Sequence, residues 1–455
     1  MSKKKYILIL SILMVLGVKA QNTIEVNCQN LFLSGTNLAW NQFSGDVGFG
    51  TNPNLTYFDN FFSEVKASGG NSVRWWLHTD AAFTPEIQTS GNITGLHHSL
   101  TNQQIIDQIK DVLDAAWSNN VLVNISLFSF DMLQDPTAKS WTDINYDGNL
   151  AFLKSSTNVQ SYIDNALTPM VNGLKDHPAL MSWEIFNEPE GMTSEFGWTP
   201  VRISMADVQM VVNKLAGAIH DADSEALVTN GTWSMLANTD KNVSSNVNQK
   251  NYYSDAALIA AGGSDNGTLD FYQVHYYDWQ SSSISPFHHP ASYWELDKPV
   301  MVGEFHAAEA ESLMTGFGYP INATYDYLYD NGYFGAWGWQ YKESTLWIAI
   351  EPQIKYMNVT NGSVIALDKD ACNTAGISDF GLGSISVFPN PSVHKIQIKG
   401  LQGLGEVLVY SIDGKVIINE ALENDQLDVS QLASGMYYLR ISTENGSVSK
   451  KMVKE

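Results

Sequence analysis

The chain has 455 residues, 44% of them apolar and 11% aromatic, with 25 basic residues against 48 acidic. That length exceeds what one ordinary core takes up, so a large domain with a smaller companion is expected. A formal charge of −23 repels nucleic acid and discourages binding to anionic lipid, whereas a neutral ligand is indifferent to it.

At the N-terminus, Lys3, Lys4 and Lys5 precede an apolar run from Tyr6 to Gly17 and the small-residue site Val18-Lys19-Ala20, the three parts of an export signal. The run is shorter than the roughly 20 residues of a membrane-spanning helix, so residues 1–20 read as a signal peptide and the mature chain as beginning near Gln21. Cleavage removes four lysines and no acid, leaving 21 basic residues against 48 acidic and a charge of −27. In an exported chain, Cys28 and Cys372 are either one disulfide across the large domain or two buried thiols. Two isolated cysteines lack zinc-site spacing, and the pairs His97-His98 and His288-His289 sit in loop-like stretches, so neither a metal nor a cofactor is expected.

From Leu33 to Tyr341 short apolar runs alternate with longer amphipathic stretches, the rhythm of βα units around a parallel sheet. Strands are predicted at Leu33–Leu38, Ser72–Leu77, Val121–Leu127, Ala179–Phe186, Leu227–Gly231, Phe271–His275, Pro299–Gly303 and Phe334–Trp339. Helical spacing occupies Asn102–Trp117, Gln160–Leu174, Met205–His220 and Ile321–Tyr329. Eight such strands predict an α/β fold, a (β/α)8 TIM barrel, with Thr23–Phe32 as a hairpin closing its bottom.

A TIM barrel builds its active site where the strands end, so polar residues there invite a catalytic reading. The fourth strand ends in Trp183-Glu184-Ile-Phe-Asn187-Glu188-Pro189, where proline stops the ladder and leaves Glu188 at the rim. The seventh ends in Val302-Gly303-Glu304. Either glutamate alone fits a salt bridge. Two of them, converging from separate strands of one barrel, match the acid and nucleophile of glycosidic cleavage, which stand about 5–5.5 Å apart in retaining enzymes.

Neighbouring strands supply support. Arg74 on the second strand can hold Glu304 ionised or pair with Glu184, which lies deeper on the face of Glu188. Asn187 can meet a sugar hydroxyl, while His275 and Tyr277, of matching parity, can tune Glu188 and donate to Glu304. Trp339 is the candidate floor under the sugar, Trp337 an interior packer, and Trp233, just past the fifth strand, a lining of the leaving-group side.

These residues resemble glycoside hydrolase family five over most of the span from Leu31 to Tyr341. Phe32-Leu-Ser-Gly-Thr-Asn-Leu-Ala-Trp40, Ala67-Ser-Gly-Gly-Asn-Ser-Val-Arg74, Trp183-Glu-Ile-Phe-Asn-Glu-Pro-Glu-Gly191, Asp270-Phe-Tyr-Gln-Val-His275-Tyr-Tyr-Asp-Trp279 and Gly335-Ala-Trp-Gly-Trp-Gln-Tyr341 look like the endo-β-1,4-mannanases of marine molluscs and their bacterial relatives. The resemblance implies Glu188 as acid/base, Glu304 as nucleophile, substrate or support roles for Arg74, Asn187, His275, Tyr277 and Trp339, and mannan as substrate. An endo-β-1,4-glucanase with the same machinery is the alternative, and a non-catalytic polysaccharide-binding barrel is a third reading that the intact glutamate pair opposes. Ser126-Leu-Phe-Ser-Phe130 departs from the relatives, which tend to carry another Trp or a polar residue there.

Beyond Cys372 the composition changes. Residues 21–372 are read as the catalytic barrel, 373–384 as a small-residue linker, and 385–455 as a small β-sandwich whose Asp413-Gly414 pair marks a hairpin. Val387-Phe388-Pro389-Asn390-Pro391, Ser434-Gly435-Met436-Tyr437-Tyr438 and Lys450-Lys451 resemble the sorting domain of the type IX secretion system. That implies the secretion machinery as a partner and a secreted, extracellular or surface-attached protein, here expected to be monomeric. A carbohydrate-binding sandwich is the other reading of the tail, though no aromatic platform stands out in it.

Overall fold

The computed structural model describes residues 22–50, 53–134, 144–372, 386–399, 405–411, 415–422, 426–443 and 446–455. The predicted signal peptide, the linker and the Asp413-Gly414 turn lie outside them. Two compact units divide at Leu367/Asp368, with Asn27–Gln29 grouped with the second.

In the first unit a two-stranded hairpin, β1 (Ile24–Val26) and β2 (Gln29–Leu31), precedes eight parallel strands. These are β3 (Leu33–Leu38), β4 (Ser72–Thr79), β5 (Leu122–Ser129), β6 (Leu180–Asn187), β7 (Leu227–Thr232), β8 (Tyr272–Tyr276), β9 (Val300–Phe305) and β10 (Gly335–Gly338). They close into a barrel in sequence order, with β10 pairing back onto β3. All eight predicted strands are present, displaced by a residue or two at their ends. The strands are buried on both faces, but only the helix-facing positions are consistently apolar, as Val73, Trp75 and Leu77 of β4 show, while barrel-facing positions carry Arg74, Asn124, Ser126 and Glu184.

Helices between the strands bury one stripe each. In Asn102–Ser118, Ile105, Ile106, Ile109, Val112, Leu113 and Ala116 are buried, and a Thr101/Gln104 capping box satisfies its first turn. The predicted helix Gln160–Leu174 is a continuous run, Ser156–Leu174, whose middle turn Ile163–Leu167 widens to π geometry. Barrel helices outside the predicted set include Leu55–Ala67, Asp255–Gly262, Ala307–Gly316 and Ser344–Asn361. At the barrel bottom Ile24, Val26 and Leu31 pack with Leu33, Leu122, Met181, Met301 and Trp337, so the hairpin plugs that end as expected. The structure joins Cys28 to Cys372 in a disulfide.

The second unit is antiparallel. Strands β11 (Ser386–Phe388), β12 (Lys395–Lys399) and β15 (Gln426–Asp428) form one sheet. The other comprises β14 (Val416–Leu422), β13 (Gly405–Ser411), β16 (Gly435–Thr443) and β17 (Gly446–Lys454), in that order. Ile396, Ile398, Val407, Val409, Leu427, Leu439, Ile441 and Met452 form their shared core, the expected small sandwich. No helix among the described residues is long and apolar enough to cross a membrane.

Candidate active site

The C-terminal ends of the barrel strands converge on a network centred on Arg74, a fully buried side chain on β4. Its Nε and Nη2 donate to the two carboxylate oxygens of Glu184, at 2.8 and 2.6 Å. Nη2 also reaches Asn187 Oδ1 at 2.7 Å, and Nη1 reaches Asn37 Oδ1 at 3.0 Å and Glu304 Oε2 at 3.1 Å. All five guanidinium N–H groups are thereby used, which is what lets a cation remain buried. Both pairings read from the sequence are real, and Arg74 serves Glu184 and Glu304 together.

Glu184 takes further bonds from Asn124 Nδ2 at 2.8 Å, Ser126 Oγ at 3.0 Å and Gln273 Nε2 at 2.9 Å. Burial alone would push its carboxyl up, but the Arg74 charge and hydrogen bonds, together with His275 and the Gln273 amide, reverse that and hold it below the ordinary glutamate range. Gly231 on β7 leaves room for the pair, since a Cβ there would come within 2.5 Å of Glu184 Oε1. Asn37 stitches the barrel seam into the same network, its Nδ2 donating to the carbonyls of Gly303 at 3.0 Å and Trp337 at 3.1 Å.

Glu188 follows β6 in a left-handed conformation, φ +45°, just before Pro189. Its side chain is 15% exposed and that of Glu304, on β9, is 8% exposed. His275 Nδ1 stands 2.9 Å from Glu188 Oε1 and 3.6 Å from Glu304 Oε2, and the three ligand-type atoms lie within 4.8 Å of one another. Any ion shared by them would compete with the guanidinium already bonded to Glu304.

Burial lifts the Glu188 carboxyl to about 7, with Asp131 and Glu184 adding to the rise against the pull of Arg74. Burial also raises Glu304, with Glu188 adding to the rise, opposed by His275 and the Arg74 charge and by the Tyr277 hydroxyl, which donates to Glu304 Oε1. His275, fully buried, is pushed down to about 4, so its ring is neutral near pH 7. Its Nε2 is buried with no hydrogen-bond partner among the described residues, so the ring proton is assigned to Nδ1, where it donates to Glu188. Asn187 spans the space between Arg74 and Ser129, whose Oγ accepts from Asn187 Nδ2 at 3.2 Å and donates to Asp131 at 2.7 Å. Ser126 and Ser129, from the segment that departs from the relatives, are thus part of this network.

Aromatic rings flank the carboxylates on both sides. Trp339, partly exposed, lies against Trp40 and Trp76, with centroids 6.0 and 5.6 Å away. Trp337 is interior, its indole N–H donating to Ser72 Oγ at 2.9 Å. On the other side an open cleft of about 590 Å³ is lined by Glu188, Trp198, Trp233, Tyr277, Trp279, His306 and Glu309. Trp233 is stacked 6.0 Å from Trp279 and lies 5.8 Å from Trp198. The indole N–H groups of Trp76 and Trp233 have no acceptor among the described residues. A slot walled by flat apolar faces suits a pyranose, whose C–H face stacks on aromatic rings.

The structure therefore gathers Arg74, Asn187, Glu188, Trp233, His275, Tyr277, Glu304 and Trp339 at one end of the barrel. Sequence reasoning missed Trp198, Trp40 and Glu190. Trp198 and Trp279 are respectively 41% and 70% exposed, and a large indole left in water at a strand-end loop is the signal that marks them.

Residues 33–344 match the family described as Cellulase (glycosyl hydrolase family 5). The chain belongs to glycosyl hydrolase family 5. Among the curated members, the mannan endo-1,4-beta-mannosidase of Mytilus edulis is 35% identical over 71% of this chain and 87% of its own length. The corresponding enzyme of Cryptopygus antarcticus is 36% identical over 69% of this chain and 81% of its own. The crystal structure of the endo-1,4-beta-mannanase from Eisenia fetida, at 33% identity, superposes with a TM-score of 0.63 over 74% of this chain and 93% of that one. The family 5 barrel is thus a glycoside hydrolase domain, with a polysaccharide as its class of substrate. Residues 386–455 match the secretion system C-terminal sorting domain, which implies export by the type IX route.

Proposed function

We propose that this chain is a retaining endo-β-1,4-mannanase in which Glu304 attacks the anomeric carbon and Glu188 is general acid, then general base. The observation that carries the reading is the approach of the two carboxylates, oxygens within 4.8 Å across His275. That closeness favours the roughly 5–5.5 Å spacing of retaining enzymes over the wider spacing that holds a water between the carboxyls of inverting ones. The division of labour follows from environment. Glu188, lifted to about 7, keeps the proton that the leaving oxygen needs, while Glu304 has a cation and a phenol aimed at its oxygens.

In the first step Glu188 protonates the glycosidic oxygen as Glu304 forms the glycosyl ester and the chain beyond the cut departs over Trp233. Glu188, now ionised, deprotonates a water that attacks the same carbon and frees Glu304. Arg74 and Tyr277 hold Glu304 charged and aimed, His275 orients Glu188, and Trp339 supports the sugar under attack. One remaining Asn187 N–H is left for a sugar hydroxyl. No cofactor enters this scheme.

Mannan as the backbone rests on the two curated mannosidases; the cellulase description of the family supports a β-1,4-glucan as second reading. Reducing-sugar release from galactomannan and from carboxymethylcellulose separates them: release from the latter alone overturns the mannan reading. Proton NMR of the first-formed anomer tests retention, and an inverted product would refute Glu304 as nucleophile. We further assign residues 1–20 to a signal peptide, 21–372 to the catalytic barrel, 373–384 to a linker and 385–455 to the sorting domain, in a protein that acts as a monomer outside the cell or at its surface.

A further inference from the structure

Glu190 lies two residues past Glu188, in the single helical turn Pro189–Met192, and is fully buried. No step above uses it. The Tyr253 hydroxyl donates to its Oε1, and the main-chain N–H of Trp233 donates to its Oε2 at 3.2 Å. Burying a carboxyl costs free energy that an apolar side chain would not, and two donors only offset it. The same turn holds a second ring of the cleft. Gly191 carbonyl accepts from the N–H groups of Trp198 and Thr199 at 2.9 and 3.0 Å. A Cβ on Gly191 would come within 2.5 Å of the Trp198 indole, so that ring rests directly on the turn. Behind it, Glu188 N–H donates to the Gly231 carbonyl at 2.7 Å, two residues before Trp233.

We propose that Glu190 is a positioning residue that clamps the acid/base turn to Trp233, fixing the spacing between the proton donor and the wall that receives the departing sugar. The inference rests on the glycosidase reading of the cleft and extends it to a residue that never touches substrate. Burial lifts Glu190 to about 7, with the nearby Glu188 carboxyl adding to the rise.

The test compares full-length wild type, Glu190→Gln and Tyr253→Phe on mannohexaose, which fills both sides of the cut, and on an aryl β-mannobioside with an activated leaving group. The aryl substrate needs neither a leaving-side sugar nor a proton. A misplaced wall should lower kcat/KM on mannohexaose by at least about ten-fold and on the aryl substrate by no more than about two-fold. Tyr253→Phe, which leaves the Trp233 contact in place, should shift the same ratio in the same direction by less, and it decides the matter should Glu190→Gln fail to fold. Equal losses on both substrates, or none on either at an unchanged unfolding temperature, overturn the proposal. If wild type cleaves cello- rather than manno-oligosaccharides, the mannan reading fails, and cellohexaose against an aryl cellobioside then decides the role of Glu190.

Discussion

Arg74→Lys is the most informative single change to the charge network. The guanidinium makes five hydrogen bonds, two to Glu184 and one each to Asn187, Asn37 and Glu304. An ammonium has three donors and no fork, so at least two bonds are lost and a buried carboxylate is left short of partners. Hydrogen bonds to charged groups contribute about 1.5–3 kcal/mol each, which places the loss of two near 3–6 kcal/mol, overlapping the roughly 3–5 kcal/mol for breaking a buried ion pair. For a barrel of about 350 residues, where 1 kcal/mol moves the midpoint by about 1.4 °C, that is a fall of roughly 4–8 °C in unfolding midpoint. The Glu304 carboxyl, already raised by burial and held back in part by Arg74, should rise further, moving the acid limb of the kcat/KM profile to higher pH. Differential scanning calorimetry and a pH–rate series on one substrate measure both. A midpoint within about 2 °C of wild type, with the acid limb unmoved, would refute the assignment of Arg74 as the shared support of both glutamates.

Glu304→Ala should abolish turnover on every substrate while leaving the unfolding cooperative, as circular dichroism would show. Glu188→Gln should lose most activity on oligosaccharides yet retain more on aryl glycosides that need no proton; equal losses would show that Glu188 is not the acid. In wild type the alkaline limb of kcat/KM should fall near pH 7, where Glu188, held at about 7, gives up its proton. A carboxyl whose folded pKa is raised binds its proton more tightly when folded, so its stabilising contribution is complete below 4.5, its ordinary value, and is lost as pH rises through about 7. The unfolding temperature of Glu188→Gln relative to wild type should therefore climb between pH 5 and pH 8.

Much of this was legible because the helix-facing positions of the barrel strands repeat as apolar residues, and because a carboxylate at the end of such a strand stands out. Asn187-Glu188-Pro189 and Gly303-Glu304 are cases where the local rule of apolar strands breaks at its end, and the break is the site. The C-terminal barrel helix Ser344–Asn361 gave no such signal, since Pro352 lies inside it and few of its residues are buried. The walls of the cleft were less legible. Trp198 belongs to a loop without periodicity, and its place is set by main-chain bonds to Gly191 rather than by any pattern of its own. Glu190 reads in sequence as one more acid at a turn, and only its burial separates it from a solvated one.

The pairing of β10 with β3 joins the last barrel strand to be synthesised to the first. Asn37 reaches across that junction to Trp337 while receiving a bond from Arg74. A polypeptide halted between Phe305 and Gly335 would own both glutamates and still lack the strand that closes the ring around them. The last pairing the barrel can make is therefore also the one that completes the support under Arg74 and Glu304.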